Sequence, residues 1–277
     1  MNNFTKLVAF ASFTFLSLSV SAQHQLTKIW ETDSTLKVPE SVLFDAGNQV
    51  LYVANIDGAP DAKDGKGSIG KVGLDGKIIA TDWVSGLNAP KGMALVKNTL
   101  WVADVDEVVA IDIKSGQITK RVKIEGAKFL NDVAADAKGS VYVSDSQTKQ
   151  VHKIDNGKST VYLANLQGPN GVLVYNKDIY VLDNGTMNKV GKGKSLEKLA
   201  EGLEGHTDGI ENVEGNDFIV SGWEGVIYYV KADGSHEKLL DTRDQKINAA
   251  DIGYDAKKKI VYVPTFFKNS VVAYQLQ

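Results

Sequence analysis

Apolar and β-branched residues fall in short runs along this chain, each closed by a cluster of Gly, Asp, Asn or Lys. Residues 129–145 show the plan: the tetrad F-L-N-D, the apolar run V-A-A, the turn D-A-K-G, the β-rich run S-V-Y-V-S and a closing Asp145. Short runs bounded by turn residues are the pattern of antiparallel strands rather than helices. The plan occurs six times. Its anchor position holds Glu40, Lys91, Asn131, Asn170, Asp208 and Ala250, spaced by 51, 40, 39, 38 and 42 residues.

Each copy continues with two more β-rich runs around a turn, as in 69–74, Asp75-Gly76 and 77–81. Four strands in about forty residues make one blade of a propeller. The chain is therefore predicted to be all-β, a six-bladed β-propeller. Helical periodicity is nearly absent, and residues 195–201 are expected to form a short turn at most. The sixth copy ends after its third strand at 270–276, while a lone strand at 26–32 precedes the first copy. The N-terminal strand is predicted to complete the C-terminal blade, which would otherwise expose an unpaired edge.

In such a ring the first strand of each blade lines the axis, and the antiparallel second strand ends at the same face. Two columns then share one mouth. The inner column is the six anchors; the outer is Asn55, Asp104, Asp145, Asp183, Gly222 and Thr265. An insertion at 56–68 follows a second strand and is expected to cover the mouth as a lid, with Trp223, Phe266 and Phe267 as walls. Glu40, Asn131, Asn170 and Asp208 converge two carboxylates and two amide oxygens on the axis. Hard oxygen donors of this kind suit a divalent cation, with Ca²⁺ favoured over Mg²⁺. Polar residues solvating a water-filled channel are the other account of the same column.

Lys91 complicates the metal reading, because an ammonium repels a nearby cation. It either leans outward to hold an anionic substrate, points into solvent, or neutralises Glu40 and Asp208 in place of a metal. The outer aspartates are expected to cap turns, and Asp57, Asp61 and Asp64 to belong to a solvated loop. His206 is the one histidine near the mouth. There is no G-x-S-x-G, no Cys and no paired-His zinc spacing.

Composition narrows the partners. A net charge of -3 over 277 residues, with no basic block, argues against nucleic acid. Residues 1–22 carry one charge, Lys6, then an apolar run at 7–20 and the small residues Ser21 and Ala22. This is the form of a secretory signal peptide. A membrane anchor is the alternative, but the run is short and rich in Ser and Thr. Without Lys6 the 31 basic residues become 30 against 34 acidic ones, a net charge of -4. The expected mature unit is one domain at 23–277, periplasmic or secreted, with no membrane association once the leader is removed. A cysteine-free exported domain relies on core packing or on a metal for stability.

The repeated motifs resemble those of the senescence marker protein/gluconolactonase/luciferin-regenerating enzyme family. The resemblance rests on P-E-S-V-L-F at Glu40, Asn131-Asp132 followed by the turn at 136–139, Pro169-Asn170-Gly171 and Thr207-Asp208-Gly209, in the family's order. It implies a six-bladed propeller with a divalent metal on its axis that hydrolyses lactones or related esters. It also implies Glu40, Asn170 and Asp208 as metal ligands, Asp208 as the group that activates water, and Asn131 as a contact to substrate or to a metal-bound water. Lys91 and Phe129 depart from the family's pattern and are expected at the substrate on this chain's own account. Family lactonases often carry an Arg where Phe129 stands, so the substrate expected here is a small molecule more apolar than a sugar lactone. The competing reading is a non-catalytic propeller of the NHL type that binds a ligand or protein at the mouth. A third is a module in which the ion only staples the ring.

Overall fold

The computed structural model describes residues 23–277, and the expected signal peptide at 1–22 lies outside them. Six four-stranded antiparallel sheets form the blades of a propeller. Their first strands are Pro39–Asp45, Pro90–Val96, Leu130–Ala135, Pro169–Tyr175, Thr207–Glu214 and Gly253–Asp255. The N-terminal strand Leu26–Glu31 pairs with Val271–Leu276, so the last blade is completed by the start of the chain, as its sequence requires. That junction also carries side-chain bonds. Ser270 Oγ donates to Glu31 Oε1 at 2.8 Å, and Lys268 and Lys28 pair with the same carboxylate.

Two sequence expectations are corrected. Residues 195–201 are not a turn: Leu196–Glu201 is the outer strand of blade 4, paired with Thr186–Val190. Its exposed, charged sequence follows from its place at the blade's outer edge, where little of it is packed. The sixth copy's first run also forms a shorter strand than its apolar sequence suggests. Its leading residues bond across to blade 1 instead, Asp251 N–H to Glu40 O at 3.0 Å and Val42 N–H to Asp251 O at 3.1 Å.

The blades are held by apolar layers between neighbouring sheets. Tyr52, Leu100 and Val102 pack in one such layer, and Leu182, Phe218 and Val220 in another. Nearer the axis the first strands approach too closely for side chains. A Cβ on Gly92 would lie 2.4 Å from the Cα of Asp132, and one on Gly171 would lie 2.4 Å from Asp208 O. The K-G, N-G and D-G dipeptides are therefore packing signals as much as turn signals.

Candidate active site

Each of the first five inner strands carries a β-bulge at its anchor. In blade 3, Leu130 pairs with Asp145 and Val133 with Val143, so three steps on one strand face two on the other. The same offset recurs at Pro90 and Met93, Pro169 and Val172, and Thr207 and Ile210; a shorter one follows Pro39. A bulge re-aims a side chain that the regular pleat would direct elsewhere, and it is here that the five polar anchors turn to the mouth.

The outer aspartates brace this geometry. Asp104 accepts from the N–H groups of Asn88 and Ala89, Asp145 from Lys128 and Phe129, and Asp183 from Gln167 and Gly168. Each carboxylate thus holds the segment that enters its own blade's first strand. The capping role expected of them is present, and its target is the entry to the anchor.

Glu40, Lys91, Asn131, Asn170 and Asp208 all line one cavity of about 240 Å³. Its remaining lining is mainly apolar: Ile56 and Pro60 of the insertion, with Phe129, Trp223 and Phe266. The insertion does reach the mouth. Of the three aromatic walls expected, Trp223 and Phe266 line the cavity, their rings crossing edge to face at 5.4 Å, while Phe267 is 66% exposed at the rim. Ala250, the sixth anchor, is buried in an apolar cluster with Ile56, Ala89, Val105 and Phe266. His206 reaches the cavity edge but is exposed and paired with Glu224 at 2.7 Å.

Burial and charge oppose each other at the anchors. The Glu40 and Asp208 carboxyls are both buried, and burial pushes both well above the usual carboxylate range. The charge of Asp208 adds to this at Glu40, and that of Asp251 at Asp208. Asn170 donates from Nδ2 to Asp208 Oδ1 at 2.8 Å, which leaves Asn170 Oδ1 facing away from that bond. Asn170 Oδ1 and Glu40 Oε2 are buried acceptors with no partner. Bare oxygens of this kind are costly unless a cation or water meets them, and their chemistry fits a hard divalent ion. The donor set is two carboxylates and amides. Among the described residues no group of three or more His, Cys, Asp or Glu side chains is placed to hold an ion.

Lys91 takes none of the carboxylates as a direct partner. Its ammonium, wholly buried, donates to Pro60 O at 2.7 Å and Ala89 O at 3.0 Å and sits 4.5 Å from the centroid of the Phe129 ring. Burial lowers its pKa, and the charges of Glu40, Asp104 and Asp61 act in the opposite direction. Asn131 is buried and donates to Ser146 Oγ at 3.2 Å.

Two features here were not foreseen. Asp132, the neighbour of Asn131, points into the ring. It accepts from Val172 N–H of the next blade at 2.6 Å and occupies the space left by Gly92 of the previous one. Asp251 repeats this half a ring away, bonding Ser41 Oγ at 2.6 Å beside Gly209. With Glu211 they line a second chamber of about 180 Å³. The second feature is backbone strain at the mouth. Val38, Val105 and Phe266 have φ of 53°, 60° and 50°, and they are the only apolar residues with positive φ among the described residues. All three pack in the cluster beneath the mouth. Such a conformation costs about 1–3 kcal/mol each for bulky side chains.

No protein-family model matches the chain, and no curated protein matches it in sequence. Solved structures do match. One is a protein provisionally named a gluconolactonase, with a TM-score of 0.69, 13% identity and 93% of each chain covered. Another is a catalytically inactive virginiamycin B lyase from Staphylococcus aureus with quinupristin, with a TM-score of 0.64 and 13% identity over 92% of this chain and 99% of that one. The likeness is one of fold.

Proposed function

We propose that this propeller is a metal-dependent hydrolase of a lactone or ester, working at the mouth that Glu40, Asn170 and Asp208 share. The observation that carries this is the pair of bare, buried oxygens, Glu40 Oε2 and Asn170 Oδ1, lining one cavity with Asp208. Glu40, Asn170 and Asp208 would hold the ion, with calcium favoured by an all-oxygen, irregular donor set. The chemistry such an ion supplies when bound is polarisation of the scissile carbonyl. Asp208, oriented by the Nδ2–H of Asn170, is the chain's own proton acceptor for the attacking water. Asn131 offers its amide at the same cavity to orient the substrate. The lid and Lys91 exclude bulk water from above. The form of residues 1–22 supports export, to the periplasm or medium.

The test is metal content and calcium-dependent melting of the wild type and Asp208→Ala, followed by turnover of a panel of lactones and aryl esters. Bound calcium that raises the melting temperature in the wild type only, with metal-dependent turnover, is the expected result. Bound metal with no turnover on any substrate moves the assignment to a binding propeller. No bound metal in either protein removes the mechanism.

A further inference from the structure

We infer that the mouth selects a small substrate with an apolar, hydroxyl-free body, an alkyl- or aryl-substituted lactone or ester rather than a polyhydroxylated one. This rests on the hydrolase reading for the reactive end of the molecule and on separate observations for the rest of it.

The cavity is divided by chemistry. The polar groups of its inner strands serve the reactive end, Glu40, Asn170 and Asp208 around the carbonyl and Asn131 beside them, while His206 at the edge is engaged by Glu224. The rest of the lining is Ile56, Pro60, Phe129, Trp223 and Phe266. The side chains of that wall offer one polar group, the indole N–H of Trp223. Each sugar hydroxyl placed against it would lose water without gaining a partner, and sites discriminate strongly against groups they leave unpaired.

The cation at the mouth is also withdrawn from substrate. Lys91 has three N–H donors; two are used by Pro60 O and Ala89 O, and the remaining face of the ammonium lies over the Phe129 ring. An anionic or hydroxyl-rich substrate would have to displace those partners. Phe129 therefore acts twice, satisfying Lys91 and presenting apolar surface.

The wall is held in place against local backbone preference. Phe266 adopts φ of 50° and turns its ring onto the cavity against Trp223, and Val38 and Val105 adopt left-handed backbone in the same cluster. Strained bulky residues persist where the surroundings over-determine them, and they gather at ligand clamps. The volume of about 240 Å³ falls below the range of drug-sized pockets, so one ring with a short substituent fills it.

The test uses lactams, which keep the carbonyl and resist hydrolysis. Calorimetric binding to the folded chain, with and without calcium chloride, is compared for a phenyl-substituted γ-lactam and for the lactam of gluconic acid. The phenyl lactam is expected to bind about tenfold or more tightly, and Trp223→Ala to remove about tenfold of that affinity while moving the hydroxylated lactam by less than about twofold. Phe266→Leu, which keeps apolar bulk, gives the same ranking with a smaller loss. Equal or tighter binding of the hydroxylated lactam, an equal loss of both in Trp223→Ala, or binding of neither overturns the inference. Absence of turnover on the corresponding lactones would instead strike the hydrolase reading and leave this ranking unchanged.

Discussion

Lys91 and Phe129 form a cation–ring pair, the ammonium 4.5 Å from the ring centroid, inside a cavity that also holds two buried carboxylates. The charge is satisfied by neutral partners, so Glu40 and Asp208 remain unpaired with it. We expect Lys91→Met to leave the melting temperature within a few degrees. The desolvation cost of the buried ammonium roughly offsets its two hydrogen bonds. The lid at 56–68 should open instead, read as faster limited proteolysis within it. Calcium affinity should hold or rise slightly with one positive charge removed. A large gain in calcium affinity would show that the ammonium occupies the ion's place.

Gly92 faces the Cα and carboxylate of Asp132 across the blade 2–blade 3 contact. Gly92→Ala is expected to cost about 3 kcal/mol or more, because backbone as well as side chain must move. The double variant Gly92→Ala/Asp132→Ala should not recover stability, since the Cα clash at 2.4 Å remains. Chemical denaturation of the wild type and both variants checks this, and recovery in the double variant would show that the carboxylate alone sets the spacing.

The closure between Glu31 and Ser270, Lys268 and Lys28 has a definite pH window. Burial acts to raise the Glu31 carboxyl, but hydrogen bonds from Lys268, Lys28 and Ser270 outweigh it and hold it at about 2 against a usual 4.5. A depressed carboxyl contributes stability above its unfolded value that is lost as pH falls through the folded one. The gap between wild type and Glu31→Gln should be about 1–3 kcal/mol at pH 6, the lower half being favoured by the exposed lysines. It should close towards pH 2. A gap that persists at pH 2 would assign the effect to shape rather than charge.

Glu211 behaves in the opposite sense. Burial, reinforced by the charge of Asp251, raises its carboxyl to about 8 from 4.5. Between those values the folded chain binds a proton that the unfolded chain has released, so stability falls as pH rises. Glu211→Gln is expected to flatten the melting profile between pH 5 and pH 9 and to gain most at the alkaline end. An unchanged slope would mean that Glu211 is already ionised at neutral pH in the folded protein.

The blade count, the latch and the mouth residues were legible because strand periodicity and anchor spacing survive in the sequence at every copy. The outer strand Leu196–Glu201 was not, since an edge strand with mostly exposed residues has no apolar alternation to display. The matching roles of Asp132 and Asp251 do have a signal in the sequence. The position after each anchor reads Ser41, Gly92, Asp132, Gly171, Gly209 and Asp251, with acids half a ring apart and glycine before each. The left-handed Val38, Val105 and Phe266 had no signal at all, because neither residue type favours that backbone and only tertiary packing imposes it.

The pairing of Leu26 with Leu276 joins residues 250 positions apart in sequence. Five sheets and most of a sixth can therefore form before Leu26–Glu31 finds its partner. Until then the chain is an open horseshoe with two unsatisfied ends, one of them the edge of Val271–Leu276. Contacts of such span close slowly and leave strand edges available to other chains. Loss of the final few residues would thus be felt at both termini at once, and the released N-terminal strand would become the piece most ready to pair with a second molecule.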